Sequence, residues 1–528
     1  MEIVGVGLAA FATVDLCLKY GERLRTFYND YKHAEEEIHG MVLTVESSFL
    51  KTVWQLQTVR KIWNTLDQRL QDHFANLLQH LENKLQNAVS KLEKFLETDA
   101  RDSSVILARV DRHKSSRTKY RYLFCKESMQ KTIEDLRRWQ DEFDPSWYLM
   151  TLIANPVIDK GLQDMQNFPN GPTNQLQKIR NTLSMTSPST STSDRPSIFL
   201  DPRWLSNERY SISPSSQAIL TSYGSDRTHV IIDTVYYSPD TESELAVNHV
   251  RDLARVLSSN DPSTSGLLTC QGVIKTATQS SSTTSPLSFD FVFKVPTSLY
   301  TPKLLRDLLV LRVPHPLDER FNLAKSLARS IMFVHTSGFV HKNVRPDTII
   351  VFNSGTLSLG KPFLIGFERF RPLASGTNRK GDTMWERNLY RHPRRQGICP
   401  EDYYKMQHDI YSLGICLLEI GLWTSFVVPS DSGFQPGPGL AINEALSMKD
   451  KVKAAFEIKR QLTDMALSSL PMSMGTKYAN LAVSCLTCLD PDETNRFGKK
   501  AELQDEDGVI VGIQYIEKIL GEIEAFSI

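Results

Sequence analysis

The sequence predicts a multidomain chain: an all-α helical bundle over residues 1–160, a linker over 161–200, and an α+β region over 201–528. Three observations lead there. Apolar residues recur at steps of three and four from Ile38 to Phe143, a Ser/Thr/Pro-rich tract then intervenes, and strand-length apolar runs interspersed with helical patterns follow. At 528 residues the chain has room for about two to four domains.

Composition excludes some functions. Lys+Arg and Asp+Glu are both 61, so the formal charge is zero and no global field attracts nucleic acid. The 7 cysteines, odd in number and scattered through a large chain, fit a reducing cytoplasmic compartment better than a disulfide framework. Cys485 and Cys488 form a lone C-x-x-C with no second pair to complete a structural zinc site, and read as helical packing. Glu2 stands where a signal peptide has a basic region, and no run reaches transmembrane length.

The first element, Ile3–Val14, is apolar all round, with Ile3, Val6, Leu8, Phe11 and Val14 as its membrane-active candidates. Such a helix is either enclosed in a bundle or held ready to enter a membrane, and at this length it cannot span one alone. Behind it, Ile38, Met41, Val45, Phe49, Thr52, Leu56, Val59 and Trp63 form one helical stripe. A second runs Leu66, Leu70, Phe74, Leu77, Leu81, Leu85, Ala88, Leu92 and Phe95. A last helix through Met129, Ile133, Leu136, Trp139 and Phe143 is expected to break at Pro145. Helices with one apolar face and short connections pack as an antiparallel bundle.

The densest basic run lies between these helices: Arg109, Arg112, Lys114, Arg117, Lys119, Arg121 and Lys126, with Asp111 the one acid before Glu127. Near an anionic leaflet each such residue contributes on the order of 1 kcal/mol. A solvated helix end is the alternative. The glycine-containing apolar start, the heptad-like middle and Lys119-Tyr-Arg-Tyr122 leading into Ile133-Glu-Asp-Leu136 resemble the fungal HeLo and HeLo-like domains. That resemblance implies a bundle over about residues 1–160 whose first helix is released to perturb membranes when a regulatory domain changes state.

The linker contains Pro169, Gly171, Pro172, Pro188, Pro196 and the tract Met185–Asp194, rich in Ser and Thr. Its low hydrophobicity predicts a mobile connector, with Leu176 and Ile179 as a brief helical brace.

Beyond it, His229-Val-Ile-Ile-Asp233 reads as a strand, Glu244–Leu257 as a helix, and Phe289–Pro296 as a further strand. Phe321, Leu323, Ala324, Leu327, Ile331 and Val334 form an apolar helix directly before Val340-His-Lys-Asn-Val-Arg-Pro-Asp-Thr-Ile-Ile350, and Leu364-Ile-Gly-Phe-Glu368 follows. These motifs, with His408-Asp-Ile-Tyr-Ser-Leu-Gly414, resemble a bilobal protein-kinase-like fold whose smaller lobe would cover 201–300 and whose larger lobe 301–528. In working kinases the loop reads H-R-D-L-x-x-x-N and a D-F-G supplies a magnesium carboxylate. Set against that pattern, His341 is kept, Asn343 replaces the catalytic Asp, Arg345 lies within the loop, Thr348 replaces the magnesium-binding Asn, and Gly366 replaces the D-F-G Asp.

An amide has no basic electron pair near neutrality, so Asn343 cannot act as a general base. Thr348 and Gly366 offer no carboxylate to magnesium. Asp233 falls where the phosphate-binding Lys would stand and would repel a nucleotide. The resemblance therefore implies a pseudokinase with no catalytic residues, no metal and no cofactor, with ATP binding left open. It also implies Asp409 as a buried anchor for loop amides. Arg394 replaces the Glu of A-P-E, and Arg496 is the matching fold anchor, so their usual ion pair cannot form.

The same pairing of bundle and degenerate kinase occurs in the vertebrate mixed-lineage kinase domain-like protein. Together these readings lead to a cytoplasmic fungal effector of programmed cell death or heterokaryon incompatibility. It would be recruited conditionally to anionic lipid of the plasma membrane, would form a homo-oligomer on activation by an unidentified partner, and would bind no nucleic acid. The alternatives are a divergent ATP-dependent kinase drawing on Asp347 and Glu368 as spare carboxylates, and a non-enzymatic signalling scaffold in which the first helix stays in the core.

Overall fold

A computed structural model describes residues 2–29, 36–105, 114–151, 158, 197–237, 243–276, 287–297, 299–353, 359–367, 371–372, 381–431, 433–499, 503 and 508–524. The chain divides into two compact units, one within Met1–Trp147 and the other within Lys178–Ile528 together with the turn Leu149–Thr151. The first is helical; the second is α+β with antiparallel sheets.

Among the described residues four α-helices build the first unit: α1 (Glu2–Asn29), α2 (Glu36–Ile62), α3 (Gln68–Val105) and α4 (Lys114–Tyr148). From Ala10 onward α1 is a core element, burying Ala10, Val14, Cys17, Leu24 and Tyr28 at helical spacing. Gly21 lies among them because a side chain would not fit: a Cβ there would sit 1.7 Å from Phe49 Cε2 of α2. The expected stripes of α2 and α3 are buried at Ile38, Val45, Phe49, Leu56 and Val59, and at Leu70, Phe74, Leu81, Leu85 and Leu92.

Pro145 does not break the last helix. It lies inside α4, three residues before its end. The turn that contains it is held by the buried Trp147, whose ring stands 5.8 Å from Phe143, so packing outweighs the lost backbone bond. The bundle also has a polar seam: Asp144 of α4 accepts from Lys51 Nζ at 2.6 Å and Gln55 Nε2 at 2.7 Å of α2.

The second unit opens with a five-stranded sheet in the order β1-β2-β3-β5-β4, from β1 (Tyr210–Ser211), β2 (Ile219–Tyr223), β3 (Thr228–Tyr237), β4 (Cys270–Thr276) and β5 (Leu287–Lys294). The register pairs Ile231 with Phe293, Asp233 with Phe291 and Val235 with Phe289. Strand alternation puts those six on one face and Val230, Ile232 and Val292 on the other. Helix α5 (Ser243–Ser258) packs on β4 and β5 through a strongly apolar side that includes Ala246, Val250 and Leu253.

A second sheet joins β6 (Tyr300–Leu304), β8 (Ile349–Asn353) and β9 (Lys361–Leu364) in the order β6-β8-β9; β7 (Phe339–Val340) lies just before the His341 loop. The helices that follow β6 include α6 (Leu305–Leu311), α7 (Leu317–Thr336), α8 (Met406–Leu422), α9 (Lys451–Ser468) and α10 (Thr476–Leu486). α8 is buried on every side, which is why its sequence lacks a polar face. Among the described residues no helix is long and apolar enough to cross a membrane.

Candidate functional site

The His341 loop is held from beneath by one carboxylate. Asp409, fully buried in the first turns of α8, accepts the backbone N–H of His341 at 2.8 Å and of Lys342 at 2.9 Å, the Tyr404 hydroxyl at 2.6 Å and His335 Nε2 at 3.0 Å. Burial works to raise its pKa, but the hydrogen bond and charge of His335 and the other donors outweigh it and hold the carboxyl below the ordinary range. Lys342 adopts φ +67, a strained value for a side-chain-bearing residue, and its N–H is one of those Asp409 fixes.

Inside the loop the amide of Asn343 is held at both ends. Its Nδ2 donates to the Gly366 carbonyl at 3.2 Å, and its Oδ1 accepts from Arg345 Nε at 3.0 Å. Thr348 Oγ1 donates to the carbonyls of Asn343 at 2.7 Å and Arg345 at 2.9 Å. Gly366, at φ +84, lies directly against Thr348: a Cβ at Gly366 would fall 2.3 Å from Thr348 Cγ2. The space in which a carboxylate at 366 would meet an amide at 348 is therefore filled by a methyl group.

Asp233, buried at the centre of β3, accepts the N–H of Gly366 at 2.9 Å and of Phe367 at 3.2 Å through Oδ2. The carboxylate of β3 thus binds the backbone of the segment that follows β9. His341, also buried, stands 4.9 Å from the Phe367 ring, and burial pushes its pKa down to about 4, so it is neutral near pH 7.

Asp347 is not a spare carboxylate. It is buried and takes a two-pronged pair from Arg306, Nε–Oδ1 at 3.2 Å and Nη2–Oδ2 at 2.9 Å, with Arg345 Nη1 at 3.2 Å. Burial would raise its pKa; the guanidiniums of Arg306 and Arg345 overcome that and lower it. Arg306 also meets Tyr390 Oη, Glu419 Oε1 and Ser425 Oγ at 2.9, 3.3 and 2.8 Å. Glu368, the other candidate carboxylate, lies outside the described residues.

Arg496, expected as a fold anchor, is exposed and reaches Asn480 Oδ1 at 3.3 Å; Arg394 is exposed as well. With no carboxylate at 394 to desolvate against, neither guanidinium is drawn inside. A cavity of about 630 Å³ lies here, lined by Arg394, Lys405, Asp490 and Glu493 among others, and the buried link of this region is Lys459 of α9 to Asp490. Cys485 and Cys488 are buried free thiols.

Among the described residues one group of side chains has metal-ligand chemistry. Atoms of His392, Asp402 and His408 lie within 4.8 Å of one another. The fit to a cation is poor, because the N–H of Lys405 donates to His408 Nδ1 at 3.0 Å and that of Arg394 to His392 Nδ1 at 3.4 Å. Each ring's proton is thereby placed on Nε2, where a metal would have to displace it, whereas zinc-binding histidines donate from their second nitrogen. Burial first and Lys459 second push the His392 pKa down to about 2, so the ring is neutral near pH 7.

Of the membrane candidates, Phe11 is half-buried 6.3 Å from Trp63, and Val14 is in the core. Ile3, Val6 and Leu8 lie on the backbone of α1, and Lys114, Arg117, Lys119 and Arg121 on that of α4; their side chains, and the whole of Arg109 and Arg112, lie outside the described residues. Most of the 161–200 linker does also, but Ser197–Leu200 is described and joins the five-stranded sheet.

Sequence reasoning missed Arg306, which carries no local signal, and the N–H-binding role of Asp233. No family model matches the chain. Over 131 residues it is 28% identical to the mitosis inhibitor protein kinase mik1 of Schizosaccharomyces pombe, a stretch that covers 24% of this chain and 19% of that protein, so the chain aligns with a small part of that relative.

Proposed function

We propose that the second unit is a kinase-like regulator without phosphotransfer chemistry and that it restrains the N-terminal bundle, whose first helix perturbs anionic membrane when freed. The setting would be a fungal cell-death or heterokaryon-incompatibility response, with the protein cytoplasmic until it is recruited to the plasma membrane and oligomerises. One observation carries the non-catalytic half: Thr348 fills the space beside Gly366 while Asp233 occupies the loop amides, so magnesium finds no carboxylate pair and phosphate meets a negative charge. The partial match to a protein kinase supports the kinase-like reading of the fold.

The reading is tested by dye release from liposomes containing phosphatidylserine, with full-length protein compared with a fragment ending at Lys160. Leakage by the fragment alone is the expected result; silence from both removes the membrane role. A second reading, the non-enzymatic scaffold, is favoured by the depth of α1, where Val14, Cys17, Leu24 and Tyr28 are all in the core. Under it, lipid leaves α1 protected from protease. The divergent-kinase alternative loses its nearest base, because Asp347 is neutralised by Arg306 and Arg345.

A further inference from the structure

The loop that leads into α8 is closed on itself. Glu401 and Asp402 N–H donate to the Arg394 carbonyl at 3.0 and 3.2 Å, and Arg395 Nη1 donates to the Asp402 carbonyl. That closure sets His392, at the start of the loop, and Asp402, near its end, beside His408 in the first turn of α8.

Both rings are walled in. Each is 1% exposed; His392 stands edge-on to Tyr411 at 5.1 Å, and His408 lies 5.0 Å from the Tyr404 ring. Hydrogen bonding fixes their orientation as well. Each Nδ1 faces a backbone N–H, and turning either ring over would set a C–H against that donor. The proton of each neutral ring therefore sits on Nε2, and neither Nε2–H meets an acceptor among the described residues. A buried donor left in that condition is costly.

The carboxylate beside them is out of direct reach. Asp402 Oδ2 lies 3.8 Å from His408 Nε2, too far for a hydrogen bond and a suitable span for one atom between. A nitrogen of each ring and an oxygen of Asp402 all lie within 4.8 Å of one another, so a single atom can stand about 2.8 Å from all three. The three corners determine what that atom is. It has to accept from two N–H groups and donate to an ionised carboxylate. An anion would be repelled by Asp402, and a metal ion would have to displace both ring protons. Water meets all three requirements, and three hydrogen bonds are the usual complement of a buried water.

We propose that His392, His408 and Asp402 form a binding site for one buried water molecule, which accepts from both imidazoles and donates to the carboxylate. The water ties the two ends of the loop to α8. Asp402 is partly exposed and also lines the cavity of about 630 Å³, which gives the water a way in. The inference does not depend on the membrane reading.

The test uses the full-length protein near neutral pH, with isotopically labelled histidine rings for magnetic resonance and a crystal of the same chain. Two rings in the Nε2–H form with cross-peaks to water, and one oxygen within hydrogen-bond distance of all three groups in the crystal, are the expected results. Asp402→Ala removes the water's acceptor and should speed solvent exchange of both Nε2 protons at least tenfold. Asp402→Asn, whose Oδ1 still accepts, should keep exchange slow. A direct His408–Asp402 bond, or the Nδ1–H form of either ring, overturns the proposal, and so does exchange that is equal in the parent and in a folded Asp402→Ala. If Asp402→Ala does not fold, the crystal and Asp402→Asn decide. One equivalent of zinc chloride should leave both N–H signals in place; their loss would mark a metal site instead.

Discussion

Asp347 and Gly366 show how much a single residue's surroundings decide in this unit. The guanidinium of Arg306 is 1% exposed and its principal counter-charge is Asp347. Asp347→Ala would leave that cation buried with Glu419 alone, a change that costs about 3–5 kcal/mol when a buried pair is broken. The expected outcome is a loss of that size in urea denaturation of the full chain, whereas a catalytic base would be lost with stability intact. Gly366→Asp, which would add a carboxylate beside Thr348 on paper, meets Thr348 and a left-handed backbone at once. It should lower the melting temperature and produce no magnesium-dependent nucleotide binding by calorimetry; binding would show that the loop rearranges to admit a metal.

At the scale of elements, the joint between α1 and α2 is the one most open to test. Gly21→Ala sets a methyl group against the Phe49 ring, and overpacking of this kind costs typically about 1–3 kcal/mol. The variant should unfold its first unit at lower denaturant concentration and, under the proposed function, leak liposomes at lower protein concentration; unchanged leakage with lowered stability would separate the helix from the membrane role. The helical stripes were legible because burial of one face imposes a period of 3.6, and that period survives in the residues themselves. Pro145 misled because the packing of Trp147 that rescues its turn is tertiary. That Asn343, Thr348 and Gly366 carry no carboxylate was readable from residue identity alone. That Asp347 was already paired was not, since its partner lies 41 positions earlier in α6 with nothing in the intervening pattern to mark it. Asp233 could be placed on a strand but not assigned the Gly366 and Phe367 amides, which are more than 130 positions away.

Across the whole second unit, buried neutral histidines give a pH response whose sign follows from proton counting. His341 at about 4 and His392 at about 2 sit below the ordinary histidine value of 6.5, so below pH 6.5 the unfolded chain binds protons that the folded one refuses, and stability falls with pH. At pH 5 each histidine accounts for a loss of about 2 kcal/mol. Glu419, raised to about 7 chiefly by burial, works in the opposite direction and returns about one histidine's worth between pH 7 and 5. His408, lowered chiefly by burial as well, adds to the loss, so a net fall in stability from pH 7 to pH 5 is expected in denaturant titrations; a rise in stability over that interval would contradict the burial of these rings. Arg306 sets a further property of the unit. Its partners sit at Asp347, Tyr390, Glu419, Ser425 and Val427, as far as 121 positions along the chain. The guanidinium can leave water at low cost only when the last of these has arrived, so the barrier to folding carries the closure of long loops. For the same reason no one of those segments can peel away alone without stranding a charge, and this ties α6, the His341 loop and α8 into one cooperative unit of unfolding.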